Sequence, residues 1–157
     1  MGQFLRDNWG SLASVAGVAL TIWTLVSARG AKKAAEAASE LARKRSLVED
    51  LEEAAGKMQH VGSWVRDRKW EIVQLRSQEV LAICKAVLSR WSDHLGESGN
   101  NVRTACTQLS TIARLAMDAS LRNLTENEQR QIFGAQLRAA GLISDALGRA
   151  RKVEERS

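Results

Sequence analysis

The stretch that decides the fold is Val73–Leu95, VQLRSQEVLAICKAVLSRWSDHL. Its apolar residues recur at intervals of three, four and seven, which is the spacing of one face of an α-helix. Six positions form this stripe: Val73, Val80, Cys84, Val87, Trp91 and Leu95. Leu81 and Leu88 widen the stripe, so a helix over residues 61–95 is expected to be the central helix of a bundle. Gly62 is expected to bend or break the chain near its start.

The composition favours helices throughout the chain. Its 157 residues include no Pro, no Tyr and two Phe, which argues against a β-sandwich or barrel. Two cysteines exclude a disulfide scaffold, and two histidines exclude most His-rich metal sites. The net charge of +5 is modest, and acidic residues interrupt the basic ones. These numbers predict an all-α protein with neither a cofactor nor a metal.

Two further helices are expected after the central one. A loop is predicted over Gly96–Asn101, followed by a helix over Val102–Arg122. The apolar stripe of that helix has five members: Val102, Ala105, Leu109, Ile112 and Ala116. Thr125 and Glu128 have the spacing of a capping box, which predicts a fourth helix from about Glu126.

The fourth helix is expected to bury one apolar face, formed by Phe133, Leu137, Ala140 and Leu147. Three glycines recur every seven residues along it: Gly134, Gly141 and Gly148. Glycine is costly inside a helix, so their repetition predicts the close approach of another helix within the bundle. A contact between subunits is the alternative.

Residues 29–60 are rich in Ala, Glu, Lys and Arg and predict a basic helical stalk. Apolar residues repeat every seven positions, with Lys44 interrupting the second row. The two rows are Ala34, Leu41, Val48 and Ala55, and Ala37, Leu51 and Met58. This pattern predicts a short coiled coil or a seam against neighbouring helices, with an exposed stalk as the alternative.

The run Asn8–Ala28 contains no charged residue and is expected to be a transmembrane helix. As a helix it is about 31 Å long, enough to cross a hydrocarbon core. Trp9 and Trp23 lie toward its ends, as interfacial anchors do. The alternatives are a buried helix and a cleaved signal peptide, since Val26–Ala28 resembles a cleavage site.

The charges that flank this run predict its orientation. Arg29, Lys32 and Lys33 follow it, and the positive-inside rule then places the C-terminal part in the cytosol. The expected location is a bacterial inner (cytoplasmic) membrane, crossed once, with the N-terminus outside. Small residues in the run would let two spans pack closely as a homo-oligomer. They are Gly10, Ala13, Ser14, Gly17 and Thr21.

No sequence motif supports an enzyme. The chain has no His-Glu-x-x-His zinc signature, no phosphate loop and no dinucleotide-binding glycines. Cys84 and Cys106 lie on apolar faces and are interpreted as small core residues. No catalytic residue is assigned.

Two segments are candidates for binding an anionic ligand. In the first, Asn100 and Asn101 lead into Arg103 at a helix N-terminus, where free N–H groups favour an anion. The second segment is Trp64–Trp70, and its candidate residues are Arg66, Arg68, Lys69, Trp70 and, further on, Arg76. Basic residues beside tryptophans can hold a phosphate while a base stacks. An Asn-capped loop and a solvated charged face are the structural alternatives.

The order of parts divides the chain into residues 1–28, a tail and span; 29–60, a stalk; and 61–157, a cytosolic helical bundle. This layout resembles the small membrane-anchored effectors of bacterial anti-phage systems, including those of type III CRISPR that respond to cyclic oligoadenylates. The resemblance covers the whole chain as an order of parts and includes no diagnostic motif. It implies a membrane effector, with phosphate-binding Arg and Lys residues at a subunit interface.

The expected function is therefore a self-associating membrane effector in bacterial defence that responds to a cyclic oligonucleotide ligand. A membrane adaptor or scaffold that binds a cytosolic protein partner is the alternative. Ligand-dependent assembly separates the two, because an adaptor would keep one oligomeric state.

Overall fold

The structure, a computed structural model, describes the backbone of residues 2–155 and the side chains of residues 20, 21 and 23–155. Over this range it is helical and has no strand, which confirms the all-α prediction. The helices are α1 (Gly2–Arg66), α2 (Trp70–Arg90), α3 (Ser92–Leu95), α4 (Ser98–Leu121) and α5 (Glu126–Glu155). The chain divides into two compact units, residues 1–41 and residues 42–157.

Within the first unit, residues 2–41 are a single stretch of helix. Every side chain described between residues 20 and 41 is exposed. Leu20, Trp23, Leu25 and Val26 are 66%, 74%, 50% and 61% exposed, although all four are large and apolar. A helix with exposed apolar residues and no tertiary partner gains little stability from packing within its own chain.

The prediction of a single-pass inner-membrane protein is wrong. Within the part of the chain that the structure describes, no helix combines the length and the apolar character that a bilayer crossing needs. Between residues 20 and 28, Thr21, Thr24 and Ser27 dilute the apolar residues, and basic residues follow from Arg29 in the same helix. The predicted orientation and the predicted inner-membrane location depend on this span, so they are wrong as well.

The residues predicted to pack two spans together lie mostly outside the described side chains. Gly10, Ala13, Ser14 and Gly17 belong to that group. Thr21 is described and exposed. Gly30 lies within α1, and no atom of another residue approaches the position of its absent Cβ within 4 Å.

Within the second unit, residues 42–155 form an antiparallel bundle of four long helices. The C-terminal part of α1 contacts the end of α2, where Nε1 of Trp91, the residue that follows α2, donates to Asp50 Oδ2 at 3.1 Å. It also contacts α5, where Arg151 donates to Glu52 Oε1 at 2.6 Å. Helices α2 and α4 pack together, as do α4 and α5. The order around the bundle is therefore α1, α2, α4, α5, with each neighbour antiparallel to the next.

Part of the predicted stalk lies in the core of the bundle. Leu47, Leu51, Ala54 and Met58 of α1 are almost fully buried in the hydrophobic cluster that α2, α4 and α5 complete. The seven-residue repeat thus forms a seam against neighbouring helices over residues 47–58, one of the arrangements that the sequence predicted. Gly62 does not break the helix, because α1 continues to Arg66.

Helix α4 buries the stripe that the sequence predicted. Its members are completely inaccessible to solvent: Val102, Ala105, Leu109, Ile112 and Ala116. The predicted face of α5 is correct only in part: Ala140 and Leu147 pack partly buried against the core, whereas Phe133 and Leu137 are 44% and 55% exposed. The buried face of α5 is instead formed by Ile132, Ala135, Gln136, Ala139, Ile143 and Ala146. Small alanines allow α5 to pack closely, which leaves the larger Phe and Leu on its flank.

The prediction that three glycines of α5 mark a close approach of another helix within the bundle is also wrong. A Cβ at Gly141 or Gly148 would have no neighbour within 4 Å, and one at Gly134 would meet only the Arg138 guanidinium at 3.7 Å. Gly62 of α1 is the position where helices do come close. A Cβ there would lie 2.8 Å from Nε2 of the buried Gln136.

Gly141 and Gly148 have open surroundings, whereas Gly62 is crowded by Gln136. Substitution by alanine is therefore expected to change stability differently at the two kinds of position. Gly141→Ala and Gly148→Ala are each expected to raise the free energy of unfolding by about 0.5–1 kcal/mol, because Ala loses less backbone entropy in a helix. Gly62→Ala is the matched control. It is expected to give no gain in the free energy of unfolding, because the new methyl group must displace the Gln136 side chain. Urea denaturation of each variant measures the difference. A loss of stability in Gly141→Ala would contradict the open environment described for that glycine.

The capping box at the start of α5 is confirmed. The backbone N–H of Thr125 donates to Glu128 Oε2 at 2.8 Å, and the Thr125 hydroxyl accepts from the Glu128 N–H at 3.3 Å. Arg122 contacts the same carboxylate at 2.6 Å. Arg122 first, and then Thr125, lower the pKa of Glu128 to about 2. This contribution to stability is present above the ordinary carboxyl pKa and is lost as the pH falls toward 2.

Candidate cationic cleft at the turn between α1 and α2

A three-residue turn, Asp67–Lys69, reverses the chain between α1 and α2. The Lys69 N–H donates to the Trp64 carbonyl at 3.0 Å, and the Arg68 N–H donates to the Val65 carbonyl at 3.2 Å. This pair of bonds is the Schellman pattern that ends many helices. Arg68 occupies its left-handed position with φ of 56°, where glycine is usual. The turn therefore holds an exposed arginine in a conformation that costs free energy.

Arg68→Gly is expected to raise the free energy of unfolding by about 0.5–1 kcal/mol, because glycine adopts a positive φ without a steric penalty. The same substitution removes a cation from the cleft described next. Denaturant unfolding measures the change in stability. Arg66→Gly is the control. Arg66 lies in the last turn of α1, where glycine is costly, so this variant should be less stable than the parent chain. Equal losses in both variants would contradict the strain assigned to Arg68.

The turn forms one wall of an open cleft of about 380 Å³. The residues that line it are Arg68, Lys69, Trp70, Glu71, Ile72 and Ser120. Arg68 and Lys69 are exposed, and Trp70 is half-buried at the start of α2. Two cations, an indole ring and an aliphatic side chain thus share one concave surface. Such a surface suits a ligand with an anionic group and a flat or apolar part.

Acidic residues moderate the charge of the cleft. Lys69 Nζ lies 3.8 Å from the Asp67 carboxylate, and both side chains are more than half exposed. An ion pair this long and this exposed contributes little free energy, so a phosphate can compete for Lys69. Glu71 lines the cleft beside the two cations. Arg66 is exposed at the C-terminal end of α1 and adds a third cation near the turn.

Arg76 does not line the cleft, although the sequence placed it in the same candidate site. Its guanidinium forms an ion pair with Glu79, with an Nη1–Oε2 distance of 2.7 Å. The guanidinium carbon lies 5.9 Å from the centre of the Trp64 ring, in a cation–π contact between α2 and α1. Arg76 Nε is buried without a hydrogen-bond partner. The structure thus places this arginine in the packing of two helices.

The other predicted ligand segment, Asn100–Arg103, lies at the opposite end of the bundle. Helix α4 begins at Ser98, so the predicted loop over residues 96–101 is wrong from Ser98 onward. Arg103 donates to Asn100 Oδ1 at 2.9 Å, and Asn101 donates to Asp145 at 2.5 Å. About 30 Å of helix, the length of α2, separates this end from the cleft. The two predicted segments therefore form separate sites.

Asn101 belongs to a polar network that joins α4 to α5. Its partner Asp145 also accepts from Arg149 Nε at 3.1 Å, and Arg149 Nη1 lies 3.0 Å from Glu97. Each polar side chain of this network already has a partner of opposite or complementary character. A small cavity of about 70 Å³ lies beside it, with Leu47, Leu95 and Val153 in its lining. That volume is too small for a nucleotide.

Sequence reasoning found three of the six residues that line the cleft: Arg68, Lys69 and Trp70. Glu71 and Ile72 follow them directly in the sequence, so both could have been predicted as neighbours of the same site. Ser120 lies in α4, and only the packing of α4 against α2 brings it to the cleft. Among the described residues, no three His, Cys, Asp or Glu side chains gather as a metal site would require.

Comparison with known proteins adds no relative. No protein-family model, no curated protein and no solved structure matches this chain. The cleft is therefore interpreted from its own residues.

Proposed function

We propose that this chain is a self-associating helical protein that binds a nucleotide or an oligonucleotide in the cleft at the turn between α1 and α2. The observation that carries the proposal is the cleft itself, where Arg68 and Lys69 lie beside Trp70. The cations supply charge-assisted hydrogen bonds to phosphate oxygens. The indole supplies a face on which a base can stack, and Ile72 extends the apolar surface.

The size of the cleft supports a ligand larger than a free phosphate ion. Its volume of about 380 Å³ is within the range of small-molecule sites in proteins. The cleft is open, so a ligand with several nucleotides can extend beyond it toward Arg66. Stacking is tolerant of base identity, whereas phosphate contacts weaken with salt. Binding is accordingly expected to fall steeply as the salt concentration rises.

Self-association is assigned to residues 20–41 of α1, with a second copy of the same helix as the partner. Leu20 and Trp23 fall in the same two heptad rows as Ala34, Ala37 and Leu41. Between residues 20 and 41, no charged residue falls in either row. The remaining members of the two rows are small, namely Ser27 and Gly30. A parallel pair would bury this charge-free seam, and small residues let two helix backbones approach.

Trp23→Glu is expected to weaken self-association at least tenfold, by about 1.4 kcal/mol or more, because it places two like charges in the seam. Leu25→Glu is the matched control: it also exchanges an exposed apolar residue for Glu, but outside the two rows. Sedimentation equilibrium measures the mass of both variants and of the parent chain. Equal weakening in the two variants would contradict the seam, and a monomeric parent would contradict self-association.

Titration calorimetry tests whether the chain binds a nucleotide. The probes are adenosine monophosphate, linear and cyclic oligoadenylates, and inorganic phosphate. An oligoadenylate is expected to bind with an affinity that falls with added salt, and inorganic phosphate is expected to bind more weakly because it cannot stack on Trp70. Light scattering in parallel shows whether the ligand changes the assembly. Absence of binding by every nucleotide would contradict the proposal and favour the adaptor alternative with a protein partner.

A further inference from the structure

The small cavity beside the N-terminus of α4 lies at the end of the bundle opposite the cleft. Its volume is about 70 Å³. Because one water needs about 10–15 Å³ of such space, the cavity can hold a ligand of about five or six non-hydrogen atoms. Its apolar wall is formed by Leu47, Leu95, Ala150 and Val153. The cavity therefore suits a small ligand with a short hydrocarbon part.

Ser98, the first residue of α4, supplies hydrogen-bond donors to this cavity. The residue lines the cavity and is only 7% exposed. Among the residues that the structure describes, none forms a hydrogen bond with its hydroxyl, and no backbone carbonyl accepts from its N–H. A buried polar group without a partner costs free energy, so these donors are where a ligand would add the most. The N-terminus of this 24-residue helix also carries a partial positive charge, which favours an anion.

Basic side chains from three helices line the same cavity: Lys44 of α1, His94 of α3 and Arg149 of α5. Asp145 and Glu97 accept from Arg149 at 3.1 and 3.0 Å, so they use two of the five N–H donors of its guanidinium. The Glu97 side chain is 91% exposed, so its ion pair contributes little free energy and a ligand anion can compete for the arginine. These side chains and the N-terminus of α4 together favour a carboxylate over a neutral or cationic group.

We propose that this cavity is a binding site for a short-chain carboxylate of about two to four carbons, separate from the nucleotide cleft. The carboxylate accepts hydrogen bonds from Ser98 and Arg149. The alkyl part packs against the apolar wall that Leu47, Leu95 and Val153 provide. An inorganic anion could accept the same hydrogen bonds but would leave this wall without an apolar contact. The apolar wall therefore selects carboxylates with a hydrocarbon part over phosphate or chloride.

An NMR titration of the full chain with acetate, propionate and butyrate tests the proposal. The expected result is a saturable change in the amide shifts of Ser98 and Gly99. Affinity should rise about fourfold with each added methylene group, because the apolar wall buries it. Sodium chloride at equal ionic strength and butan-1-ol are the controls, and neither should saturate these shifts. Absence of saturation by butyrate, an equal response to either control, or tighter binding of inorganic phosphate would each overturn the proposal.

Ser98→Ala is expected to weaken butyrate binding about tenfold or more, since it removes a hydrogen bond to a charged group. Ser110→Ala is the matched control and should leave the affinity unchanged. Its hydroxyl belongs to the same helix but donates to the Cys106 carbonyl at 2.9 Å, outside the cavity. Without butyrate, Ser98→Ala should keep the urea midpoint of the parent chain, because this hydroxyl has no partner among the described residues. Unchanged butyrate affinity in Ser98→Ala, or an equal loss in Ser110→Ala, would contradict the site.

Discussion

Leu51→Ala is expected to lower the free energy of unfolding of the bundle by about 2–5 kcal/mol. Leu51 belongs to α1 and is completely buried in the core that α2, α4 and α5 complete. Truncation to Ala removes buried apolar atoms and leaves a cavity, since neighbouring side chains relax only in part. A loss of this size would show that residues 42–66 of α1 are the fourth helix of the bundle.

Leu41→Ala is the control for this prediction. Leu41 occupies the same seven-residue repeat but lies in the first unit and is 50% exposed. Its truncation should change the free energy of unfolding of the bundle by about 0.5 kcal/mol or less. Urea denaturation followed by circular dichroism measures both variants at one protein concentration, because self-association would otherwise contribute. Similar losses for Leu41 and Leu51 would contradict the boundary between the two units.

The double variant Arg68→Glu/Lys69→Glu is expected to weaken oligoadenylate binding about 100-fold or more. Each lost charge-assisted hydrogen bond is worth about 1.5–3 kcal/mol, and 1.4 kcal/mol corresponds to a tenfold change in affinity. Both side chains are exposed, so the variant should fold as the parent chain does. Titration calorimetry at one salt concentration measures the change.

A matched control keeps the same change of net charge away from the cleft. Arg114→Glu/Lys152→Glu reverses two exposed cations in α4 and α5 that do not line the cleft. This variant is expected to bind within about threefold of the parent chain, through a weak and screened long-range effect. If both double variants lose affinity equally, the ligand responds to overall charge and the cleft is not its site.

Local signals in the sequence predicted part of the fold correctly. The buried stripe of α4 was predicted correctly because this helix has a single apolar face, and that face must point into the core. The start of α5 was correct because Thr125 and Glu128 satisfy each other across four residues, with no help from the rest of the chain. Helix α5 itself carries two apolar stripes. The sequence favoured the one with Phe133 and Leu137, and the packing buries the one with smaller residues.

Two boundaries were missed, one because its residues carry no turn signal and the other because its residues carry a misleading loop signal. The turn at Asp67–Lys69 contains neither Gly nor Pro, and its left-handed position is occupied by Arg68. A single helix was therefore predicted across residues 61–95. The loop before α4 was predicted too long, because Gly99 and Asn100 are usual in loops and are tolerated in the first turn of a helix.

The span was predicted wrongly because the length of an uncharged run does not by itself make a transmembrane helix. Such a run needs apolar side chains at nearly all of its positions to replace water with lipid. Thr21, Thr24 and Ser27 interrupt the described part of this run. The residues that line the cleft were partly predictable for a different reason. Arg68, Lys69 and Trp70 are adjacent in the sequence, whereas the contribution of Ser120 depends on helix packing.

Photo-crosslinking with an azido-adenine oligonucleotide tests the cleft as the binding site, because it locates the bound base on the chain. The full-length protein is irradiated with the probe and digested, and the labelled residue is identified by mass spectrometry. We expect a label on Trp70 or Ile72, which unmodified oligoadenylate prevents by competition. A competed label at Asn100–Arg103, or a label that competitor does not reduce, would contradict the claim that this cleft is the binding site.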